Sequence, residues 1–229
     1  MKVFAHRGLH SRHLGENTLA AFVRAVEAGA DGIEFDVRVT RDGVPVAIHD
    51  ENLSRVAGDS RRVRDLTEKE LQAVVLRGEG RIPTLNEITA SISSTVELDI
   101  EIKDRDVLEP LLTKLSTSAK LRERTIISSF VLDDLLAVRT TCPDVRTILL
   151  NRSWPLPLKG KNYWPRVCEH GLWGLGFRST ILNRQRVRML QEQGCTVASW
   201  DDQPLKSDIG RMENLGVDIA IIYRVKPRT

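Results

Sequence analysis

The chain has 229 residues, 41% hydrophobic and 28% charged. That balance excludes a disordered tail or a fibrous repeat and supplies a sizeable core without disulfide or metal staples. With 34 Lys and Arg against 31 Asp and Glu, the net charge is +3 and no long basic block exists, so Arg61-Arg62 and Arg184-Gln185-Arg186 read as solvated faces rather than a nucleic-acid stripe.

In chain order, Val3–Ala5 is a short strand that leads into a Gly-containing loop. Residues 17–28 read as a helix, with Leu19, Phe22, Val23 and Val26 on one stripe and Gly29 as the stop. Ile33–Val39 is a strand, and Gly43–Ile48 is a second extended run entered through the Asp42-Gly43 turn. Residues 50–83 are polar and lack strong strands; Thr67 and Glu70 form a capping-box pattern for a short helix through Val75. This stretch is expected to be a small insertion on the rim, after which Pro83-Thr84 opens a helix to about Ser93.

Strand-like runs then fall at Val96–Ile102, Thr125–Ser129, Val145–Leu150, Trp173–Phe177, Thr196–Trp200 and Asp218–Ile222. Helical stretches lie between them, near 107–118, 131–140, 162–169, 183–193 and 204–215. Eight strands separated by helices imply parallel pairing and, at this length, a closed (β/α)8 TIM barrel, α/β in class, formed by one domain over residues 1–229. A doubly wound open sheet is the structural alternative. Only seven residues follow Ile222, too few for the last outer helix. The expectation is that the final strand is left partly uncovered, or is covered by the 65–76 helix or a partner.

No apolar run approaches the roughly 20 residues of a membrane span, and Val3–Ala5 is far shorter than a secretory h-region. The cysteines Cys142, Cys168 and Cys195 form no CxxC pair. A cytosolic protein with buried free thiols and no transmembrane segment is expected.

In such a barrel, chemistry gathers at the C-terminal ends of the strands. There the sequence places His6-Arg7-Gly8, Glu34-Phe35-Asp36, His49-Asp50 and the run Glu97 to Lys103. Strand alternation turns Glu34 and Asp36 to one face, with Ile33, Phe35 and Val37 on the other. It likewise turns Glu97, Asp99, Glu101 and Lys103 inward. Buried carboxylates repel unless something positive lies among them: Lys103, Arg7 or a metal. Hard oxygen donors without thiolate favour magnesium, calcium or manganese, for which Glu34, Asp36 and Glu101 supply three ligands. His6 and His49 are suited to acid–base work, and Arg7 and Lys103 to a phosphate. Taken singly, each pattern has a plain structural reading: a Glu-x-Asp salt bridge, a core histidine, a lysine that neutralises Glu101.

The ordered motifs resemble the glycerophosphodiester phosphodiesterase family. They run His6-Arg7-Gly8, Glu16-Asn17-Thr18, the stretch Gly29 to Val37 with Glu34 and Asp36, and Thr40 to Val46 with His49-Asp50 following. Arg81-Ile82-Pro83-Thr84-Leu85, Ile100-Glu101-Ile102-Lys103 and Ile127-Ser128-Ser129-Phe130 continue the series. The likeness is close over residues 1–103, fair over 104–140, and beyond that mainly one of rhythm. It implies a barrel with a small insertion after the second strand, His6 and His49 as acid–base pair, and Glu34, Asp36 and Glu101 as ligands of one divalent cation (Mg2+, Ca2+ or Mn2+). It also implies Arg7 and Lys103 on the phosphate and Glu16 at the pocket beside the glycerol or the metal shell. Trp200 is a candidate to pack on the glycerol, or a core aromatic.

Three segments depart from the family pattern: Gly15 stands where proline is usual, Asp201-Asp202-Gln203 follows Trp200, and Ile222-Tyr223-Arg224-Val225 ends the last strand. The last two shape the substrate end and so bear on the leaving group.

The expected activity is metal-dependent hydrolysis of glycerophosphodiesters, small molecules, to sn-glycerol 3-phosphate and an alcohol. The alternatives are a lysophospholipase D-type enzyme, with Trp154-Pro155-Leu156-Pro157-Leu158 as its apolar rim, a non-catalytic phosphate-ligand binder, and an unrelated barrel phosphatase or lyase. Oligomeric state is not legible in the sequence.

Overall fold

A computed structural model describes residues 1–154, 170–201 and 209–225. The strands in chain order are β1 (Lys2–His6), β2 (Gly32–Val39), β3 (Pro45–Ala47), β4 (Glu97–Ile102), β5 (Thr125–Ser129), β6 (Arg146–Asn151), β7 (Gly174–Arg178), β8 (Thr196–Trp200) and β9 (Ile219–Ile222). Eight of them pair in parallel, and β1 closes the barrel by pairing with both β2 and β9. β3 is the exception. It folds back antiparallel on β2 through the turn at Gly43, with Val37 opposite Ala47. Closure leaves no edge within the parallel cylinder.

Strand alternation decides what each face does. Ile33, Phe35, Val37, Leu98, Ile100, Leu175, Phe177 and Val197 belong to the outer core, shared with the surrounding helices. Phe4, Ile126, Ile148, Leu150, Ala198, Trp200, Ile219 and Ile221 form a separate inner core. The inner residues of β2 and β4 are acidic instead, because Glu34, Asp36, Asp99 and Glu101 occupy the inward positions and are buried. Gly176 makes room on the inner wall: a Cβ there would lie 2.6 Å from Leu150 and 3.2 Å from the Trp200 ring.

Among the described residues the helices are α1 (Leu19–Glu27), α2 (Ser54–Ala57), α3 (Glu68–Gln72), α4 (Leu85–Ser91), α5 (Leu108–Ser116), α6 (Ala119–Arg124), α7 (Leu132–Thr141), α8 (Arg184–Glu192) and α9 (Ile209–Leu215). None is long and apolar enough to cross a membrane. The Thr67–Glu70 capping box forms as the sequence predicts, but α3 ends at Gln72 rather than Val75. Thr84 and Glu87 make a second such box on α4.

The first helix begins two residues later than the apolar stripe suggests. Asn17 is left-handed (φ 55°) and outside the helix, and Thr18 caps it by accepting from Ala21 N–H. The expected 107–118 helix is joined by α6, capped by Ser118, which the periodicity did not resolve. The predicted 162–169 helix, the first part of the 204–215 helix and Cys168 lie outside the described residues. Cys142 and Cys195 are buried.

Residues 48–82 carry their own apolar cluster, in which Ile48, Leu53, Val63, Leu66, Leu71, Leu76 and Ile82 pack with Val46 of β3. The 65–76 region therefore sits against β3 and does not cover the last strand. Nor is that strand left open: Ile219 to Ile222 are at most 3% exposed, with Ala220 and Ile222 in the outer core and α9 in contact with β9.

The exit from β1 is tightly built. Gly8 has φ +76°, and a Cβ there would lie 2.7 Å from the backbone of Ala21 in α1. Gly8→Ala combines a left-handed residue with a backbone clash. It is expected to lower stability by about 2 kcal/mol, read as a lower urea midpoint at unchanged slope.

Candidate active site

His6 ends β1, and Arg7 follows in a left-handed conformation (φ 56°) that few non-glycine residues adopt. The Arg7 N–H is held by Glu34 twice, by its backbone oxygen at 2.8 Å and by its Oε2 at 3.0 Å. The Arg7 guanidinium bridges two acids, with Nη1 3.0 Å from Glu16 and Nε 3.1 Å from Asp36. Asn17, also left-handed, donates from Nδ2 to the same Asp36 oxygen at 2.9 Å and from its backbone N–H to the Arg7 oxygen. The backbone strain at these two positions is thus concentrated around one buried carboxylate.

β2 and β4 lie side by side in a register that sets Glu34 beside Asp99 and Asp36 beside Glu101. One oxygen each from Glu34, Asp36 and Glu101 falls within 4.8 Å of the others, and all three residues are buried. Lys103, one turn of pleat beyond Glu101, contacts Asp36 Oδ1 at 3.0 Å and makes a short ion pair with Glu101. Ser128 on β5 donates to Asp99 at 2.7 Å. Glu97, also read as inward, belongs to the opposite rim, where it pairs with Lys2 and Arg146.

These neighbours set the protonation states. Burial alone would raise the Asp36 carboxyl, but Arg7 and Lys103 outweigh it and hold the group well below the usual range. Glu34 is compensated only in part, by Arg7. Burial, then the charges of Asp36 and Glu101, push it well above the usual carboxylate range, and its Oε1 is a buried oxygen with no hydrogen-bond partner. Burial and Asp36 likewise lift Glu101 to about 7; the Lys103 contact offsets only part of that. Asp99 is raised by burial to about 7.

The two imidazoles line the same cavity, of about 550 Å³, together with Arg7, Glu34, Glu101 and Lys103. His6 is pushed down to about 3 by burial and by Arg7, and meets Tyr223 edge-to-face at 4.5 Å. His49 is lowered by burial, and its Nδ1 lies 2.6 Å from Asp50. That contact assigns the Nδ1 proton and leaves the lone pair on Nε2 when the ring is neutral. Asp50 in turn accepts from Arg55 at 2.6 Å, and Arg55 also clamps both oxygens of Glu16 at 2.6 and 2.9 Å.

His6, Arg7, Glu16, Glu34, His49, Glu101, Lys103 and Trp200 therefore line one cavity at one end of the barrel, with Asp36 buried beside them; Glu97 does not join them. Trp200 is both a core aromatic, packed edge-to-face on Phe130 at 5.9 Å, and part of the cavity wall. Glu16 lines the cavity but is engaged by two arginines. Sequence reasoning left Asn17, Asp99 and Arg55 out of the site. Asn17 lay within a quoted motif and Asp99 within the inward alternation, whereas Arg55 carried no signal in its polar segment. Trp154, expected on an apolar rim, instead packs on Phe177 at 5.4 Å and under Arg186, away from the cavity; residues 155–158 lie outside the described residues. A wider groove of about 1000 Å³, lined by Arg41, Arg64, Asp106 and Lys114 among others, has no histidine and none of the strand-end acids.

The residues fit a divalent cation. Three hard oxygen donors lie within the diameter of a coordination sphere whose metal–oxygen distances are about 2.0–2.6 Å. Two of the three carry a buried oxygen without a hydrogen-bond partner, Glu34 Oε1 and Asp36 Oδ1, the latter with only its ion pair to Lys103.

The family model described as "Glycerophosphoryl diester phosphodiesterase family" matches residues 6–225. A glycerophosphodiester phosphodiesterase of Caldanaerobacter subterraneus subsp. tengcongensis is 40% identical over 178 residues, covering 70% of this chain and 73% of that protein. The crystal structure of a glycerophosphodiester phosphodiesterase from Thermotoga maritima superposes with a TM-score of 0.79 at 29% identity over 98% of this chain and 95% of that one. A phosphodiesterase of Oleispira antarctica, solved with the product sn-glycerol-3-phosphate, has a TM-score of 0.84 over 97% of this chain and 93% of that one. At 23% identity it speaks for the fold.

Lys103→Met removes the ammonium that two buried carboxylates share. In cation-free buffer it is expected to cost about 3 kcal/mol or more. Glu101 loses its one contacting cation and holds its proton to still higher pH, whereas the unfolded chain releases that proton near the ordinary glutamate value. The stability gap to wild type should therefore widen as pH rises through about 7. Urea melts at pH 6 and pH 8.5 check this; an equal gap at both would contradict it.

Proposed function

The chain belongs to the glycerophosphoryl diester phosphodiesterase family, enzymes that hydrolyse phosphoric diesters, and we propose that it cleaves glycerophosphodiesters to sn-glycerol 3-phosphate and an alcohol. The observation that carries this reading is the convergence of Glu34, Asp36 and Glu101 within 4.8 Å on a cavity that His6, His49, Arg7 and Lys103 also line. The product bound in the Oleispira antarctica structure supports the choice of substrate.

In this reading Glu34, Asp36 and Glu101 hold one divalent cation (Mg2+, Mn2+ or Ca2+), which supplies Lewis-acid stabilisation of charge on the phosphate oxygens. Arg7 and Lys103 add fixed positive charge on the same side, anchored by Asp36 so that no reorganisation is needed as charge develops. His6 is kept neutral by burial and by Arg7, the state required to accept the proton of the attacking group, either water or a glycerol hydroxyl whose cyclic phosphate product water then opens. His49 has a carboxylate on Nδ1, which works against the burial that lowers this ring and favours the imidazolium that would protonate the departing alkoxide oxygen. Arg55 bridges Asp50 and Glu16, and so ties the 50–83 segment to both the histidine and the Arg7 side of the site. We include that segment in a single catalytic domain spanning the chain.

The test is turnover of a glycerophosphodiester with and without divalent cation, with glycerol 3-phosphate as the measured product. Chelation should abolish turnover, and magnesium, manganese or calcium should restore it. His6→Ala and His49→Ala should each lose about 100-fold or more. With a p-nitrophenyl leaving group, which departs unprotonated, His49→Ala should regain much of its rate and His6→Ala should not. Near-normal turnover of both variants on the alkyl diester would overturn the assignment.

A further inference from the structure

The wall of the cavity is divided by charge. Among the described residues, every carboxyl that lines it (Glu16, Glu34, Asp50, Asp99 and Glu101) stands on β2, β4 or the loops following β1 and β3. Among the described lining residues, the half built by the ends of β5 to β9 brings two guanidinium groups, Arg152 and Arg178, and no carboxyl; the buried Asp201, which follows β8, accepts from Ser179.

Arg152 sits on an aromatic surface. The Arg152 guanidinium lies over the Phe130 ring, 4.7 Å from its centroid, and Phe130 meets Trp200 edge-to-face. Arg178 is the register partner of Trp200. A guanidinium stacked on an aromatic ring engages its face and leaves the in-plane N–H edge for a ligand. The same stacking occupies Phe130 with a cation, so a quaternary ammonium group would meet an aromatic ring already taken and two like charges nearby.

A phosphodiester whose phosphate lies among the acids and cations of β1, β2 and β4 must extend its remaining atoms along the opposite wall. Resting on the function proposed above, we infer that this wall receives the alcohol half of the substrate, and that the preferred alcohol carries a second anionic group, a phosphate or a carboxylate, held by Arg152 and Arg178. Charge-assisted, forked hydrogen bonds to such a group add affinity that a neutral alcohol cannot match.

The test compares kcat/KM of the full chain at saturating magnesium on four substrates. Glycerophosphoinositol 4-phosphate and glycerophosphoinositol share a ring and differ by one phosphate; glycerophosphoserine supplies the carboxylate; glycerophosphocholine supplies the cation. The phosphorylated inositol diester should exceed its neutral counterpart by about tenfold or more, with glycerophosphocholine the poorest substrate. Glycerophosphoserine above glycerophosphoinositol assigns the site to carboxylates as well; glycerophosphoserine no better than glycerophosphoinositol restricts it to phosphate. Arg152→Glu and Arg178→Glu should each reduce the anionic-to-neutral ratio about tenfold, and Arg152→Lys, which keeps the charge, should retain most of it. A wild-type ratio near one would overturn the inference. So would arginine variants that slow all four diesters equally, since that would place these side chains on the shared glycerol end. Turnover of none of the four would overturn the underlying function, and the inference with it.

Discussion

Four buried carboxyl groups share the interior of this barrel with two fixed cations, and the rest of the site is arranged around that imbalance. Arg7 and Lys103 both converge on Asp36, which stays ionised, while Glu34, Asp99 and Glu101 are left with too little positive charge to do so readily at neutral pH. Two conditions relieve the excess: bound protons or a doubly charged ion. An unpaired ion in such a place costs several kcal/mol. A fold that keeps three carboxylate oxygens within 4.8 Å, and leaves Glu34 Oε1 without a donor, therefore has a built-in demand for positive charge.

The barrel makes that demand stable enough to be useful. The acids sit on neighbouring, fully hydrogen-bonded strands, in a register that fixes Asp36 opposite Glu101, and their alternate residues anchor the outer core. The inner positions of β5 to β9 are apolar at depth and turn cationic and aromatic only at the mouth. One cylinder thus presents two chemically distinct walls. The loops add what strands cannot: Gly8 lets the chain pass close to α1, and the left-handed Arg7 and Asn17 bring two different groups onto one oxygen of Asp36.

Much of this could be read from the sequence because strand alternation is a strict rule. Once Ile33, Phe35 and Val37 are assigned outward, Glu34 and Asp36 have only one place to go, and the same holds for Leu98 and Ile100 beside Asp99 and Glu101. The ordered motifs from His6 to Lys103 then name the family. What could not be read depends on long-range or local geometry without a period. Arg55 reaches Glu16 and Asp50 from a segment whose charges look solvated. Asn17 lies beside an apolar stripe that continues past it, yet its left-handed backbone excludes it from the helix. The burial of the last strand depends on how α9 and the outer core close over it. No pattern within Asp218–Ile222 encodes that.

The most direct measurement of the central claim is the position of a bound ion. Crystals grown or soaked with Mn2+ and measured at the manganese edge should show one anomalous peak, about 2.0–2.6 Å from carboxylate oxygens of Glu34, Asp36 and Glu101. An ion bound elsewhere in an active enzyme, with these three side chains turned apart, would contradict the account.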